Sequence, residues 1–139
     1  MGTWGPGLLQ DDVAFDTMIN IEEALTSGLS IQAATARVLE APDWDLADLD
    51  DASVIYLALA ALQLQHGVLE PHIRDLALGT ITSGAAMARW EDEPEERAAP
   101  RREVLRRTEA ILRRGTCTPE ELWKIVEPAE YRRGPWTLR

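Results

Sequence analysis

Two histidines and a glutamate lie close together near the middle of the chain, as His66, Glu70 and His72. Imidazole and carboxylate groups can hold a metal ion or shuttle protons. The segment HGVLEPH, however, has no pair of histidines four residues apart, as a helical zinc site requires. We therefore interpret it as a polar turn and predict no metal site.

The remaining reactive residue types give no catalytic pattern. The sequence assigns Ser53 and Ser83 no nearby histidine or acid that would complete a catalytic triad. It also contains no phosphate-binding loop, dinucleotide-binding glycine pattern or nucleophile elbow. We name no catalytic residue and no cofactor. Cys117 is the single cysteine, so an internal disulfide is impossible and a reducing cytoplasm is predicted.

Acidic side chains are the most distinctive candidates for a binding surface. The stretch DWDLADLDD resembles a calcium loop only superficially, because it lacks the glycine at position 6 and the glutamate at position 12. An aromatic ring surrounded by carboxylates can instead receive arginine or lysine from a partner. The predicted partner-binding residues are Asp43, Trp44, Asp45, Asp48, Asp50 and Asp51, with Glu91, Asp92 and Glu93 in a second acidic loop.

Charge is divided unevenly along the 139 residues, whose net formal charge is −10. Residues 1–96 hold three arginines against eighteen acids, whereas residues 97–139 hold eleven basic residues against six acids. Such a field repels nucleic acid and attracts a basic protein. The alternative is that the acids only keep a small protein in solution. The longest apolar run, Val54 to Leu62, is too short for a membrane span.

The segment RREVLRRTEAILRR carries six arginines on a predicted helix. Because two glutamates interrupt the run and most of the chain is acidic, pairing with the protein's own acids or with a second copy is favoured over nucleic acid. A homodimer that joins the basic end to the acidic end is a secondary hypothesis.

The opening, MGTWGPG, is an N-terminal strap (residues 1–7) that carries Trp4 between glycines. Glycine allows close backbone approach, so Trp4 is predicted to pack on the helical body. Asp12 and Asp16 lie four apart on one helix face, where one could cap the helix and the other accept from the strap. A further alternative is a pocket for a small ligand, or an active site, formed by these aspartates with His66 or His72.

These first residues resemble the opening of a bacterial family of unknown function, of the DUF4259 type. Its members begin Met-Gly-(Thr or Ala)-Trp-Gly-x-Gly-x-Phe-x-x-Asp-x-Ala-x-Asp. The positions that match are Met1, Gly2, Trp4, Gly5, Gly7, Asp12, Ala14 and Asp16, whereas Leu9 replaces the phenylalanine. The resemblance covers about 16 residues. It implies a small bacterial cytoplasmic protein and supplies no activity or catalytic residue.

Apolar residues recur with a helical period throughout, and no strand pattern is found. Six helices are predicted: from Asp11 or Asp12 to Gly28, from Ser30 to Ala41, over 52–65, from Pro71 towards Trp90 with a kink or break, over 101–114, and over 119–126. In the first helix, Ala14, Met18, Ile21 and Leu25 are expected to form the buried face, with Phe15 and Ile19 beside it. Residues 91–100 are predicted to be a loop, and the arginines of the fifth helix are expected on its outer face.

The third predicted helix, 52–65, is apolar nearly all round, which predicts the centre of an all-α bundle in a single domain spanning 1–139. Taken together, the sequence favours a small acidic cytoplasmic binding protein. One form is an immunity-type protein that neutralises a toxin with a basic surface. The alternatives are the small-ligand pocket or enzyme, and a structural protein that associates with itself.

Overall fold

The structure is a computed structural model that describes Thr3, residues 5–40 and residues 45–128. These residues form six α-helices and one 3₁₀ helix, with no strand, which confirms the predicted all-α bundle. The helices are α1 (Asp12–Thr26), α2 (Ile31–Glu40), α3 (Leu49–Gln65), α4 (Pro71–Thr82), the 3₁₀ helix (Ala85–Trp90), α5 (Glu95–Arg114) and α6 (Pro119–Val126). No described helix is both long and apolar enough to cross a membrane.

Helix α3 lies at the centre, as its apolar sequence predicts. Leu57, Leu59 and Leu62 are buried, and α3 contacts α1, α2, α4, the 3₁₀ helix and α6. It begins three residues earlier than predicted, at Leu49, because Asp48 is its N-cap. The Asp48 carboxylate accepts hydrogen bonds from the backbone N–H groups of Asp50 and Asp51, at 2.9 and 3.2 Å.

The local signals that start α1, α2 and α6 are also confirmed. Asp11 caps α1 through a hydrogen bond from the N–H of Val13 at 2.8 Å, and Ser30 accepts from the N–H of Ala33 at 3.1 Å. At the start of α6, the side chain of Thr118 and that of Glu121 bond to each other's backbone N–H. These caps fix where α1, α2 and α6 begin.

The prediction of a loop over residues 91–100 is wrong for its second half, because α5 begins at Glu95. Pro94 is the N-cap, and Pro100 is inside the helix. Proline there removes the N–H that would bond to the carbonyl of Glu96, a loss limited to one hydrogen bond. Burial of Ala98 and Arg101 and acids in the first turn favour the added turn of helix.

Helix α1 also departs from prediction, since Phe15 and Ile19 point outward. They are 44% and 36% exposed. The buried face includes the predicted Ala14 and Ile21 together with Val13, Thr17 and Ala24, and the predicted Met18 and Leu25 are partly buried against the core. The helical period places Phe15 and Ile19 on the opposite side.

Candidate functional site

Arg89 draws three carboxylates together at one end of the bundle. Its guanidinium lies 3.3 Å from Asp11, 3.1 Å from Asp51 and 3.7 Å from Asp50. Asp11 caps α1, Asp50 and Asp51 form the first turn of α3, and Arg89 is in the 3₁₀ helix. The start of α1, the start of α3 and the 3₁₀ helix therefore meet at this arginine.

Arg89 pairs with the first of the two acidic segments that the sequence singled out, and it lies two residues before the second. Asp45 and Asp48 are exposed, whereas Asp50 and Asp51 are half-buried beside Arg89. Glu91 and Asp92 follow Arg89 in the chain and are exposed, and Glu93 pairs with Arg97 at 3.2 Å. We call this set the acidic end: Asp45, Asp48, Asp50, Asp51, Glu91, Asp92 and Glu93. Asp43 and Trp44, predicted with it, lie outside the described residues.

Asp11, rather than Asp12 or Asp16, is the residue that holds the N-terminal strap. Its carboxylate accepts a hydrogen bond from the hydroxyl of Thr3 at 2.6 Å. Asp12 and Asp16 are exposed on the outer side of α1. The expectation that Asp12 or Asp16 accepts a hydrogen bond from the strap is therefore wrong for Thr3, whose hydroxyl donates to Asp11 instead. Gly2 and Trp4 lie outside the described residues, so the packing of Trp4 remains a prediction.

The two described strap glycines are in tight contact with other parts of the chain. A Cβ on Gly5 would overlap the side-chain amide of Gln10, and one on Gly7 would lie 2.7 Å from Cδ of Pro128. Just beyond Gly7, the N–H groups of Leu8 and Leu9 donate to the carbonyls of Ile125 and Val126, at 2.8 and 3.1 Å. Glycine is needed here because the strap presses against the end of α6.

Arg101 is buried, contrary to the prediction that the arginines of this helix lie outside. It is 6% exposed and donates to the carbonyl of Pro6 at 3.0 Å and to that of Ala86 at 3.1 and 3.3 Å. Its guanidinium lies 5.7 Å from the centre of the Trp90 ring. Burial lowers the pKa of Arg101 to about 10, so the group stays charged at neutral pH. No sequence signal distinguished it from its exposed neighbours.

A small cavity adjoins the strap, lined by Gly5, Asp11, Asp50, Arg89, Trp90 and Arg101 among others. Its volume is about 20 Å³, which is room for one water molecule. The alternative hypothesis placed a pocket at the strap with Asp12, Asp16, His66 and His72. A cavity is found at the strap, but its described lining includes none of those four.

The residues between His66 and His72 form a turn held by a buried glutamine. Gln63 is fully buried, and its Nε2 donates to the hydroxyl of Thr35 and to the carboxylate of Glu70, at 3.1 and 2.8 Å. Its Oε1 accepts from the backbone N–H of Glu70 at 2.9 Å. Both the carboxylate and the backbone N–H of Glu70 are thus hydrogen-bonded to Gln63. No cluster of three potential metal ligands is found in the described part of the chain.

The arginines of α5 are paired with glutamates of α5 and α6. Arg106 and Arg107 share Glu103, at 2.5 and 2.9 Å. The other pairs are Arg102 with Glu95, Arg113 with Glu109 and Arg114 with Glu121. The hydrogen bond from Arg106 lowers the pKa of Glu103 below its ordinary value. These pairs match the expectation that the arginines meet the protein's own acids.

Comparisons with protein-family models, curated proteins and solved structures found no match to this chain. The resemblance of the first residues to the DUF4259-type family therefore stays a prediction. Among its described positions, Gly5 and Gly7 are in close contact and Ala14 is buried against the core, whereas Asp12 and Asp16 are exposed.

Proposed function

We propose that the protein is a small acidic binding module that docks a basic protein through its acidic end. In the immunity-type form of this proposal, the partner is a toxin. The surface with which that toxin binds nucleic acid is basic. The cytoplasm is the proposed compartment, in keeping with a single free cysteine, Cys117.

The observation that carries the proposal is the local pairing of the chain's cations. Five arginines of α5 are bound to glutamates of α5 and α6, so they do not neutralise the acids at the other end. The seven acids of the acidic end meet only Arg89 and Arg97 among the described cations. This surface therefore keeps an excess of negative charge.

Exposed carboxylates of this kind act mainly on the rate of association. Long-range attraction steers a basic partner towards the acidic surface and can raise the association rate constant by about 10- to 1,000-fold. The N-cap carboxylate of Asp48 is also held in place by two backbone N–H groups, so part of the surface is rigid.

The test is a pull-down from the native host, identified by mass spectrometry, with two charge-matched double variants. Glu91→Lys with Asp92→Lys alters the acidic end. Glu40→Lys with Asp75→Lys makes the same change in charge elsewhere, since Glu40 is the last residue of α2 and Asp75 lies in α4. We expect a basic protein to be recovered by the wild type and the control and lost by the first variant. Recovery of no basic protein, or equal loss with both variants, would contradict the proposal.

A further inference from the structure

The solvent face of α1 carries apolar side chains along its centre and acids on either side. Its exposed residues recur every three or four positions, which places them on one stripe of the helix. Phe15 and Ile19 lie four residues apart in the middle. We call the set the α1 stripe: Asp12, Phe15, Asp16, Ile19, Glu22 and Glu23.

The core does not require apolar residues on this side of α1. The opposite face already buries Val13, Ala14, Thr17, Ile21 and Ala24, and it packs against α2 and α3. The four acids of the α1 stripe make no ion pair with any described cation. The stripe thus combines exposed apolar area with negative charge that nothing in the described chain neutralises.

We infer that the α1 stripe docks a basic segment of another protein, in which an apolar side chain is flanked by lysine or arginine. The apolar residue contacts Phe15 and Ile19, and the flanking cations meet the acids on both sides. An apolar centre with a charged rim is the usual anatomy of a protein interface. This inference rests on the proposed function and adds a second contact surface to the acidic end.

Helix α5 of a second copy is a poor occupant of the stripe. It is the most basic element of the described chain, but five of its arginines are already paired with glutamates. None of the exposed large apolar residues in the described chain lies on α5, so that helix has nothing apolar to place against Phe15 and Ile19. A partner with alternating apolar and basic residues fits better.

The test uses two 18-residue peptides of identical composition, made of leucine, arginine and lysine. One has its leucines three and four residues apart on one helix face, and the other is shuffled. Binding is measured by fluorescence anisotropy, and the surface is mapped by backbone amide chemical shifts. The variant is Phe15→Ser with Ile19→Ser. The control is Leu29→Ser with Leu76→Ser, whose side chains are 36% and 37% exposed, so both doubles remove comparable exposed apolar residues.

We expect the amphipathic peptide to bind at least about tenfold more tightly than the shuffled one, because the leucines reach the apolar centre. Its shifts should fall on residues 12–23, and Phe15→Ser with Ile19→Ser should abolish the preference while the control keeps it. As a second variant, Asp16→Lys with Glu23→Lys should weaken binding of both peptides.

Three results would overturn the inference. Shifts confined to residues 45–51 and 91–93 would do so while leaving the proposed function in place. A dimer that the Phe15 and Ile19 variant dissociates would make a second copy the occupant. Binding of neither peptide at low salt would count against both the stripe and the proposed function.

Discussion

The guanidinium of Arg101 donates a hydrogen bond to the carbonyl oxygen of Pro6, 95 residues away, at 3.0 Å. The same guanidinium binds the carbonyl of Ala86. One buried side chain of α5 therefore holds the N-terminal strap and the 3₁₀ helix, the element that carries Arg89. Through this contact, the position of Arg89 and the carboxylates around it depends on Arg101.

Replacing Arg101 should destabilise the fold far more than replacing its neighbour. Arg101→Met would leave the carbonyls of Pro6 and Ala86 without their donor, which we expect to cost about 2–4 kcal/mol of unfolding free energy. Arg102 is half-exposed and, among the described residues, pairs with Glu95 alone, so Arg102→Met should cost less than about 1 kcal/mol. Denaturant unfolding measures both, and equal effects would mean that the buried contacts contribute nothing.

The same substitution at two glycines should have opposite effects. Gly7→Ala brings a Cβ against Pro128 and the Val126 carbonyl, so we expect a loss of about 1–3 kcal/mol. Gly79 is within α4 and has no atom within 4 Å of the added Cβ, so Gly79→Ala should stabilise by about 0.5–1 kcal/mol. Thermal melts of the two variants that shift in the same direction would contradict this account of the strap.

Two leucines of α3 test whether this helix is central. Leu59 is fully buried, whereas Leu49 is 72% exposed in the first turn. Leu59→Asp would place a carboxylate in the core and should prevent stable folding, and Leu49→Asp should leave the melting temperature nearly unchanged. Circular dichroism and thermal melts report both. An unchanged melting temperature for Leu59→Asp would show that α3 is not the core.

The capping box of α6 gives a pH-dependent prediction. Hydrogen bonds from the Thr118 backbone and from Arg114 lower the pKa of Glu121 below its ordinary 4.5. The ionised carboxylate therefore stabilises the fold at pH values above 4.5, and this stabilisation is lost as the pH falls through the lowered pKa. Glu121→Gln should be less stable than the wild type at pH 7, with the difference closing in acid. A stability difference between the two proteins that stays constant down to pH 3 would contradict this role of the Glu121 carboxylate.

The elements that the sequence predicted well are those set by neighbouring residues. Asp11, Ser30 and Thr118 start their helices through bonds to N–H groups only two or three residues away, so the local sequence is sufficient. The central position of α3 follows from an apolar surface all round, since only a surrounded helix can bury it.

The features that the sequence missed depend on distant parts of the chain. Arg101 looks like any arginine of its helix, and its burial depends on the carbonyls of Pro6 and Ala86. The outward position of Phe15 and Ile19 is the exception, since the helical period alone places them opposite Val13, Thr17 and Ala24. Asp50 and Asp51 were singled out as acids from the sequence, but their pairing with Arg89, 38 or more residues away, could be seen only in the fold.

The most direct test of the account is the salt dependence of association with the proposed basic partner, measured by stopped flow. Steering by the acidic end predicts an association rate constant that falls at least about tenfold between 50 and 500 mM salt. Glu91→Lys with Asp92→Lys should lower the rate at low salt, while Glu40→Lys with Asp75→Lys should change it much less. A rate constant insensitive to salt, and equal in both variants, would contradict the claim that this protein recognises its partner through the acidic end.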